Sequence, residues 1–590
     1  MTTTAIETVP RGGAWLLEAT APDTLFTPER MTEEHRLILQ TAREFTAEVN
    51  EHTEQLETKD WDLTRELLRR AGELGLLSVN VPEAYGGLAL DKASAAIIAG
   101  CLGQCGSFSA TYGAHANLAI LPIRMYGTEE QKQRYLPSLV TGEIVGAYCL
   151  SEAGSGSDAL GARARATRQA DGSFVLNGEK MWITNGGFAD LYIVFAKVDG
   201  EHFTAFIVER GFEGVSTGKE EHKMGLHGSS TTPVILQDVR VPADNLLGAV
   251  GKGHKVAFNV LNYGRFKLGA STAGGARGAI GEAARYAAGR RQFGQPIASF
   301  GAVKHKLGGM VARTYALESM VFRTAGLIDE TLEGAAAEDG GAVLRALEEY
   351  AVESSILKVE GSETLHEVLD ENVQIHGGNG FVRDYPAERH YRDSRVNRIF
   401  EGTNEINRLL IPGMLVKRAV KGELPLIPAA KKLQDEVLAP SPAAAPPDGP
   451  LDAAASAVGM FRKVGLAVIG LAMQTYGDKL GEQQEVLSFA ADVVIDTYAA
   501  DSAVARARAA TQTGAAGAEL QADAAASYVD GAAMRVESRA RSAFAAMARG
   551  DELRTRLAAL RRLLKVTPID DVSVRRRLSE AAVDRGAYPV

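Results

Sequence analysis

The strand-forming stretches of this chain are all gathered in one place. FVLNG (174–178), LYIVFAKV (191–198), FTAFIVE (203–209) and PVILQDVRVP (233–242) follow one another, separated by short Gly, Asp and Asn turns. Aromatic and β-branched residues in such runs are strand signals. Upstream, Leu63, Leu67, Leu68, Ala71, Leu74, Leu76 and Leu77 recur near the helical period, and PEAYGG (82–87) reads as a turn. Downstream of Gly253 the pattern is helical again, to about Lys421. Strands that come as a block, without alternating helices, argue against a Rossmann-type nucleotide fold. The expected class is therefore α+β. A helical domain over 33–145 precedes a β domain over 146–252, and a helical bundle follows over 253–421.

Beyond the bundle, LAPSPAAAPPDGP (438–450) cannot form a regular helix, so 422–450 reads as a linker to an Ala-rich helical extension over 451–590. Within that extension MFRKVGLAVIGLAM (460–473) is too short to span a bilayer. It reads as a buried helix, with a peripheral membrane contact left open. RRR (575–577) reads as a solvated tail.

Composition excludes several classes. A net charge of −10 does not suit a generic nucleic-acid binder. Three cysteines without a CxxC pair give neither a disulfide scaffold nor a structural zinc site, and a reducing, cytoplasmic home is expected. No histidine pair stands at metal-hydrolase spacing, so no metal is expected. Walker A, G-x-G-x-x-G after a strand, and G-x-S-x-G are all missing.

Six segments carry chemistry instead. AYCLSEAGSGSDALG (147–161) combines glycines and hydroxyls that let a ligand approach backbone closely. KMWITNGG (180–187) sets Trp182 beside Thr184, a pairing suited to a flat, hydrogen-bonding ring. YGRFKLGASTAGGARGAI (263–280) and GRRQFGQPI (289–297) carry arginines, and QIHGGNGFVRDYPAERHYRDSR (374–395) is rich in glycine and charge. In RIFEGTNEINRLLI (398–411), Glu401 stands in a break before an apolar helix. Each has a plain reading as turn, packed Trp, solvated face or helix cap. Glu401 between apolar neighbours also suits a desolvated base.

Residues 149–161 (CLSEAGSGSDALG) and 374–393 (QIHGGNGF followed by D, R and D) are similar, in order, to the two long signatures of the acyl-CoA dehydrogenase family. VLNYGRF (260–266), FEGTNEI (400–406) and the C-terminal extension resemble its very-long-chain branch. The resemblance implies an N-terminal helical domain, a central β-barrel-like domain, a C-terminal four-helix bundle and, here, an additional helical domain. It implies FAD held by Tyr148, Leu150, Ser151, Gly156, Ser157, Trp182, Ile183, Thr184, Thr403 and Glu405. Arg290, Gln292 and Phe293, with Gln374, Gly377 and Gly378, would reach the FAD of a second subunit, implying a homodimer.

Glu401 falls at the position of the general base. The implied reaction is α,β-dehydrogenation of an acyl-CoA, the first step of fatty-acid β-oxidation, with electrons passed to an electron-transferring flavoprotein. Ser157, Asn262, Arg265 and Gly402 fall at the substrate, and Ala110, Gly113 and Ala114 form a small-residue floor that suits long acyl chains. Two other readings stay open: an oxygen-using oxidase or monooxygenase on the same fold, and an inactive assembly relative.

Overall fold

The computed structural model of the chain describes residues 9–438, 447 and 449–590. The first helical block comprises α1 (Glu33–Glu51), α2 (Thr53–Glu57), α3 (Trp61–Glu73), α4 (Lys92–Leu102), α5 (Ser107–Gly113), α6 (Ile120–Tyr126) and α7 (Glu129–Val140). Its starts are set by side-chain caps. Thr32 and Thr128 form capping boxes with His35 and Gln131, while Asp60 and Asp91 accept from Leu63 N and Ser94 N. Between α5 and α6 the chain makes a wide π turn, Ala114–Ala119, of the kind found at functional sites.

The strands follow: β1 (Gly146–Cys149), β2 (Arg165–Arg168), β3 (Phe174–Thr184), β4 (Leu191–Val198), β5 (His202–Glu209), β6 (Val215–Thr217), β7 (Thr231–Val241) and β8 (Leu246–Leu247). They form one sheet in the order β6-β7-β3-β2-β4-β5-β8, with β1 parallel to β4. The expected barrel-like closure is not what is found. The edge strands β6 and β8 are only three and two residues long and do not pair with each other, so the sheet stays open. One face packs on α6, α7 and the next helix through Ile193, Phe195 and Ile207, and the other packs within the sheet around Tyr192, Val194 and Phe206.

The second helical block comprises α8 (Gly253–Gly289), the hairpin β9 (Arg291–Gln292) and β10 (Gln295–Pro296), α9 (Gly301–Leu332), α10 (Gly340–Glu349), α11 (Ala351–His376), α12 (Ala387–Ser394) and α13 (Asn404–Val420). Small residues let α8 and α11 approach closely. A Cβ on Gly269 would lie 2.8 Å from that of Leu357.

The expected linker is partly helical. Leu426–Leu438 forms α14, with Leu426 and Leu433 buried, because its apolar residues recur at helical spacing before the first proline of the Pro/Ala run. Residues 439–446 and 448 lie outside the described residues. The extension contains α15 (Pro450–Tyr476), α16 (Gln484–Thr513), α17 (Ala518–Met547), α18 (Gly550–Leu563) and α19 (Asp571–Arg585). By length and composition alone Pro450–Glu482 could cross a membrane, but 61% of its most apolar window is buried in the fold. Phe461, Val464 and Val468 are core residues there.

RRR (575–577) is part of α19, not a loose tail. That helix packs on α9, and Arg575 and Arg577 pair with Asp571 and Asp523 at 2.7 and 2.6 Å. The extension is joined to the bundle by a strap the sequence did not announce. Trp15 is buried between them and donates from Nε1 to Glu353 at 2.8 Å, while Arg462 donates to the Trp15 carbonyl at 2.7 Å. Arg506 is buried between Glu318 (2.8 Å) and Glu29 (2.7 Å).

Candidate functional site

The loop after β1 is held from below. Glu152 makes a buried pair with Lys180 at 2.7 Å and accepts from the backbone N–H groups of Arg163 and Ala164 at 2.6 and 3.0 Å. Pinned there, the loop turns Gly154 and Gly156 toward open space. On the adjacent β3 a register shift between Lys180 and Ile183 puts Trp182 at φ +56°. The bulge re-aims the indole, leaving Trp182 55% exposed against a cavity rather than in the sheet.

That cavity, about 1510 Å³, lies between the sheet and the bundle. Around it stand Tyr148, Leu150, Ser151, Gly156, Ser157, Trp182, Ile183 and Thr184 from the sheet side, and Asn262, Arg265, Glu401, Gly402 and Thr403 from the bundle. Ala110 and Ala114 line it too, and they also line a second cavity of about 480 Å³ that contains Gly113. Glu401 faces both. The small residues Ala110 and Ala114 therefore form a throat at the catalytic end rather than a floor. Beyond them the second cavity continues along α8 past Gly264, Ser271, Gly275 and Gly278 to Glu282. The rise of the helix from Gly264 to Glu282 is about 27 Å.

Six expected cofactor residues lie elsewhere. Arg290, Gln292 and Phe293 sit on or beside the β9–β10 hairpin, where Phe293 is 92% exposed. Gln374, Gly377 and Gly378 are exposed at the end of α11. The two groups are neighbours, since Tyr286 near the end of α8 stacks on His376 with ring centres 4.0 Å apart. Neither group borders the described cavities, and Glu405, in the first turn of α13, does not line them either.

Glu401 is held by its backbone. It sits at φ +58° with Gly402 at φ +83°, and Thr403 caps α13 by accepting from Ile406 N at 3.2 Å. Arg265 Nε donates to the Glu401 carbonyl at 3.0 Å, and Asn262 Oδ1 accepts from Arg265 Nη1 at 3.0 Å. The Glu401 carboxylate itself rests over Gly264, and its Oε2 is buried with no hydrogen-bond partner. Burial pushes its pKa up to about 7, against the opposing pull of Arg265 and Lys358. A carboxylate tuned to that range can exchange a proton near neutral pH.

Two contributors were missed in the sequence. Gly264 stands in YGRFKLGASTAGGARGAI as one of several glycines of a helix, with nothing local to single it out. Lys358 is fully buried on α11, bonded to Asn404 Oδ1 at 2.6 Å, and its pKa is lowered to about 7 chiefly by burial. The only signal for Lys358 was a lysine inside an apolar helical run, which by itself reads as a surface residue.

Comparison with known proteins gives a consistent picture. The models for the acyl-CoA dehydrogenase N-terminal and middle domains match residues 32–143 and 147–239. Two models described as acyl-CoA dehydrogenase C-terminal domain match 251–414 and 460–562. A probable acyl-CoA dehydrogenase of Bacillus subtilis is 46% identical over 588 residues, covering 99% of both chains. The human mitochondrial very long-chain specific acyl-CoA dehydrogenase is 41% identical over 350 residues, 58% of this chain and 51% of its own length. Among solved structures, an acyl-CoA dehydrogenase complexed with FAD from Bacillus anthracis superposes with a TM-score of 0.96 at 47% identity, covering 98% of this chain and 100% of its own.

Proposed function

Because the chain belongs to the acyl-CoA dehydrogenase family, whose enzymes are FAD-dependent, we propose that it oxidises saturated long-chain acyl-CoA to trans-2-enoyl-CoA. The observation that carries this reading is the Glu401 carboxylate, its Oε2 buried and without a hydrogen-bond partner, where the two cavities meet.

The residues present fit a flavin. Trp182 offers a flat face to the larger cavity, the Tyr148 hydroxyl is buried there without a partner, and Gly156 leaves room for close approach. Tyr148, Leu150, Ser151, Gly156, Ser157, Trp182, Ile183, Thr184 and Thr403 would hold the cofactor from this chain. Arg290, Gln292, Phe293, Gln374, Gly377 and Gly378, exposed and away from this cavity, suit the cofactor of a second copy, so the working unit is a homodimer. Bound FAD supplies a two-electron acceptor for the hydride that leaves the β-carbon.

The protein's own part is proton chemistry and placement. Glu401 takes the α-proton. Arg265 fixes the backbone from which that carboxylate projects, through its bond to the Glu401 carbonyl. An α-C–H is far less acidic than a carboxylic acid, so charge developing on the thioester oxygen needs donors that do not reorganise. Filling the cavity with an acyl chain expels water and strengthens those interactions. Electrons leaving the flavin would pass to an electron-transferring flavoprotein.

Activity should follow the ionisation of Glu401. With its pKa raised to about 7, the residue is protonated, and idle as a base, below that pH. The expected kcat/KM rises with pH through roughly neutrality and then levels on the alkaline side. A profile that is flat from roughly pH 6 to 8 would contradict this.

The long-chain preference rests on the second cavity and its small-residue throat. Anaerobic bleaching of the flavin by saturated acyl-CoAs of increasing length tests the activity and the preference together. Long chains should reduce the flavin fastest, and the absence of bleaching by any of them would refute the assigned activity. Ala114→Gln puts a long polar side chain into the throat, and the optimum should move to short chains with roughly tenfold or greater loss on long ones. An unchanged length profile in that variant would mean the acyl chain takes another route.

A further inference from the structure

The second cavity is not uniformly apolar past its throat. Asn117 and Lys267 line it there, and neither lines the larger cavity. Asn117 belongs to the π turn Ala114–Ala119, three residues beyond the throat residue Ala114. Lys267 is on α8, three residues beyond the Gly264 that underlies the Glu401 carboxylate. The π turn packs against α8, so the two side chains belong to adjoining walls. A π turn carries one residue more than an α turn and re-aims the side chains that follow, which is why such turns gather at functional sites.

Neither behaves as a packing residue. Asn117 is 8% exposed, and among the described residues its amide has no hydrogen-bond partner. Other polar side chains of this stretch are engaged. Thr272 donates to the Leu268 carbonyl of its own helix, and the hydroxyls of Ser109 and Ser271 stand 3.4 Å apart. Lys267 is buried and donates to the Ala95 carbonyl of α4. An ammonium has three N–H donors, yet among the described residues Lys267 has no second acceptor and no carboxylate partner. Burial, with Lys92 as a neighbouring like charge, pushes its pKa down to about 7. Buried polar groups short of partners cost stability, and apolar side chains of the same size would line an acyl tunnel without that cost. Their placement just past the catalytic centre therefore points to a ligand that completes them.

The place of that ligand atom follows from α8. The Glu401 carboxylate rests over Gly264, so the α-carbon of a bound acyl group belongs there. Lys267 lies about 4.5 Å farther along the helix axis. An extended hydrocarbon, with bonds of about 1.5 Å at tetrahedral angles, advances about 1.3 Å per carbon. We propose that Asn117 and Lys267 form a polar station that recognises an oxygen function, a hydroxyl or a carbonyl, at roughly the sixth carbon of the acyl chain. A hydroxyl there accepts from Lys267 Nζ and donates to Asn117 Oδ1, and a carbonyl accepts from Lys267 Nζ and Asn117 Nδ2. The substrate class then extends from plain to oxygen-substituted acyl-CoA. The assignment rests on the acyl-CoA reading above and deepens it.

The test uses the FAD-loaded enzyme and three CoA thioesters of one chain length: unsubstituted, with a hydroxyl on the sixth carbon, and with a hydroxyl on the twelfth. The readout is kcat/KM for each hydroxylated ester relative to the plain one, so a general loss of activity cancels. In the double variant Asn117→Leu, Lys267→Met the ratio for the sixth-carbon hydroxyl should fall by roughly tenfold or more, because an apolar wall leaves that hydroxyl unpaired. The ratio for the twelfth-carbon hydroxyl should not move. Asn117→Leu alone breaks no hydrogen bond of the fold and should lower the first ratio in the same direction, which keeps the test decisive if the lysine change impairs folding. An unchanged ratio for the sixth-carbon hydroxyl, or an equal fall for both hydroxyls, would overturn the station. Wild-type enzyme that oxidises none of the three esters would overturn the acyl-CoA reading, and the station with it.

Discussion

Glu401→Gln is expected to lower the rate of flavin reduction by acyl-CoA about 10⁴-fold, the upper end of what proton transfer contributes. The upper end applies because Glu401 projects over Gly264 with no hydrogen bond on Oε2, whereas Asp393, which also lines both cavities, is tied through Oδ1 to Leu226 N at 2.5 Å. Glutamine keeps the shape of the side chain over Gly264 and leaves the backbone bond from Arg265 in place. Flavin content and substrate affinity should therefore survive while the chemistry stops. Bleaching at near wild-type rate in the variant would show that Glu401 is not the base.

The same substitution has a stability signature of opposite sign. Burial raises the Glu401 pKa from 4.5 to about 7, so the folded chain holds a proton that the unfolded chain has released. Stability is then lost as pH rises from the lower value to the upper, and above the upper value the whole deficit remains. It is on the order of 3 kcal/mol. The neutral amide carries no such deficit. At alkaline pH Glu401→Gln should unfold at higher denaturant concentration than the wild type, while the two should converge at acid pH. A residue retained at a cost in stability is common at functional sites.

How much of this was legible beforehand depends on the range over which each feature is encoded. The order of helical block, strand block and helical block is local, because the β-branched and aromatic run LYIVFAKV and the 3.6 period around Leu63–Leu77 are each set by near neighbours in the chain. Tyr148, Trp182, Thr184 and Glu401 could be named because long motifs mark them, and the structure brings all four to one cavity. The open sheet could not be read, since closure depends on which edges meet, and β6 and β8 are too short to show a pattern. Nor could the strap. Trp15 and Glu353 are more than three hundred residues apart in the chain, and only the packed extension brings them together. Helix α14 hid behind the prolines that follow it. The throat formed by Ala110 and Ala114 was visible as a run of small residues, but where the cavity continues is fixed by α8, which lies on the other side of the sheet domain in sequence.

Gly264→Ala should cost about 10²-fold in kcat, although it adds a single methyl group. Gly264 lies in the interior of α8, where glycine is less favourable than alanine by about 1 kcal/mol. Its presence there is therefore a matter of room rather than of helix stability. A Cβ at this position would stand 2.7 Å from Oε2 of Glu401 and 2.9 Å from both Cδ and Oε1, closer than real Cβ atoms approach non-bonded neighbours. The carboxylate must move. Its backbone cannot follow, because the Glu401 carbonyl is tied to Arg265 and the next residues are fixed by the Thr403 cap. A displacement approaching 1 Å at a proton-transferring oxygen accounts for a loss of that size. The effect should fall on kcat far more than on KM, since the added methyl meets the carboxylate and leaves the rest of the cavity along α8 unchanged. Stability should hold or rise, which separates this loss from misfolding. In a Glu401→Gln background the same alanine should cost almost nothing further, because a displaced group that no longer takes a proton cannot lose rate twice. Equal losses in the two backgrounds would place the methyl group's effect on the helix and not on the carboxylate.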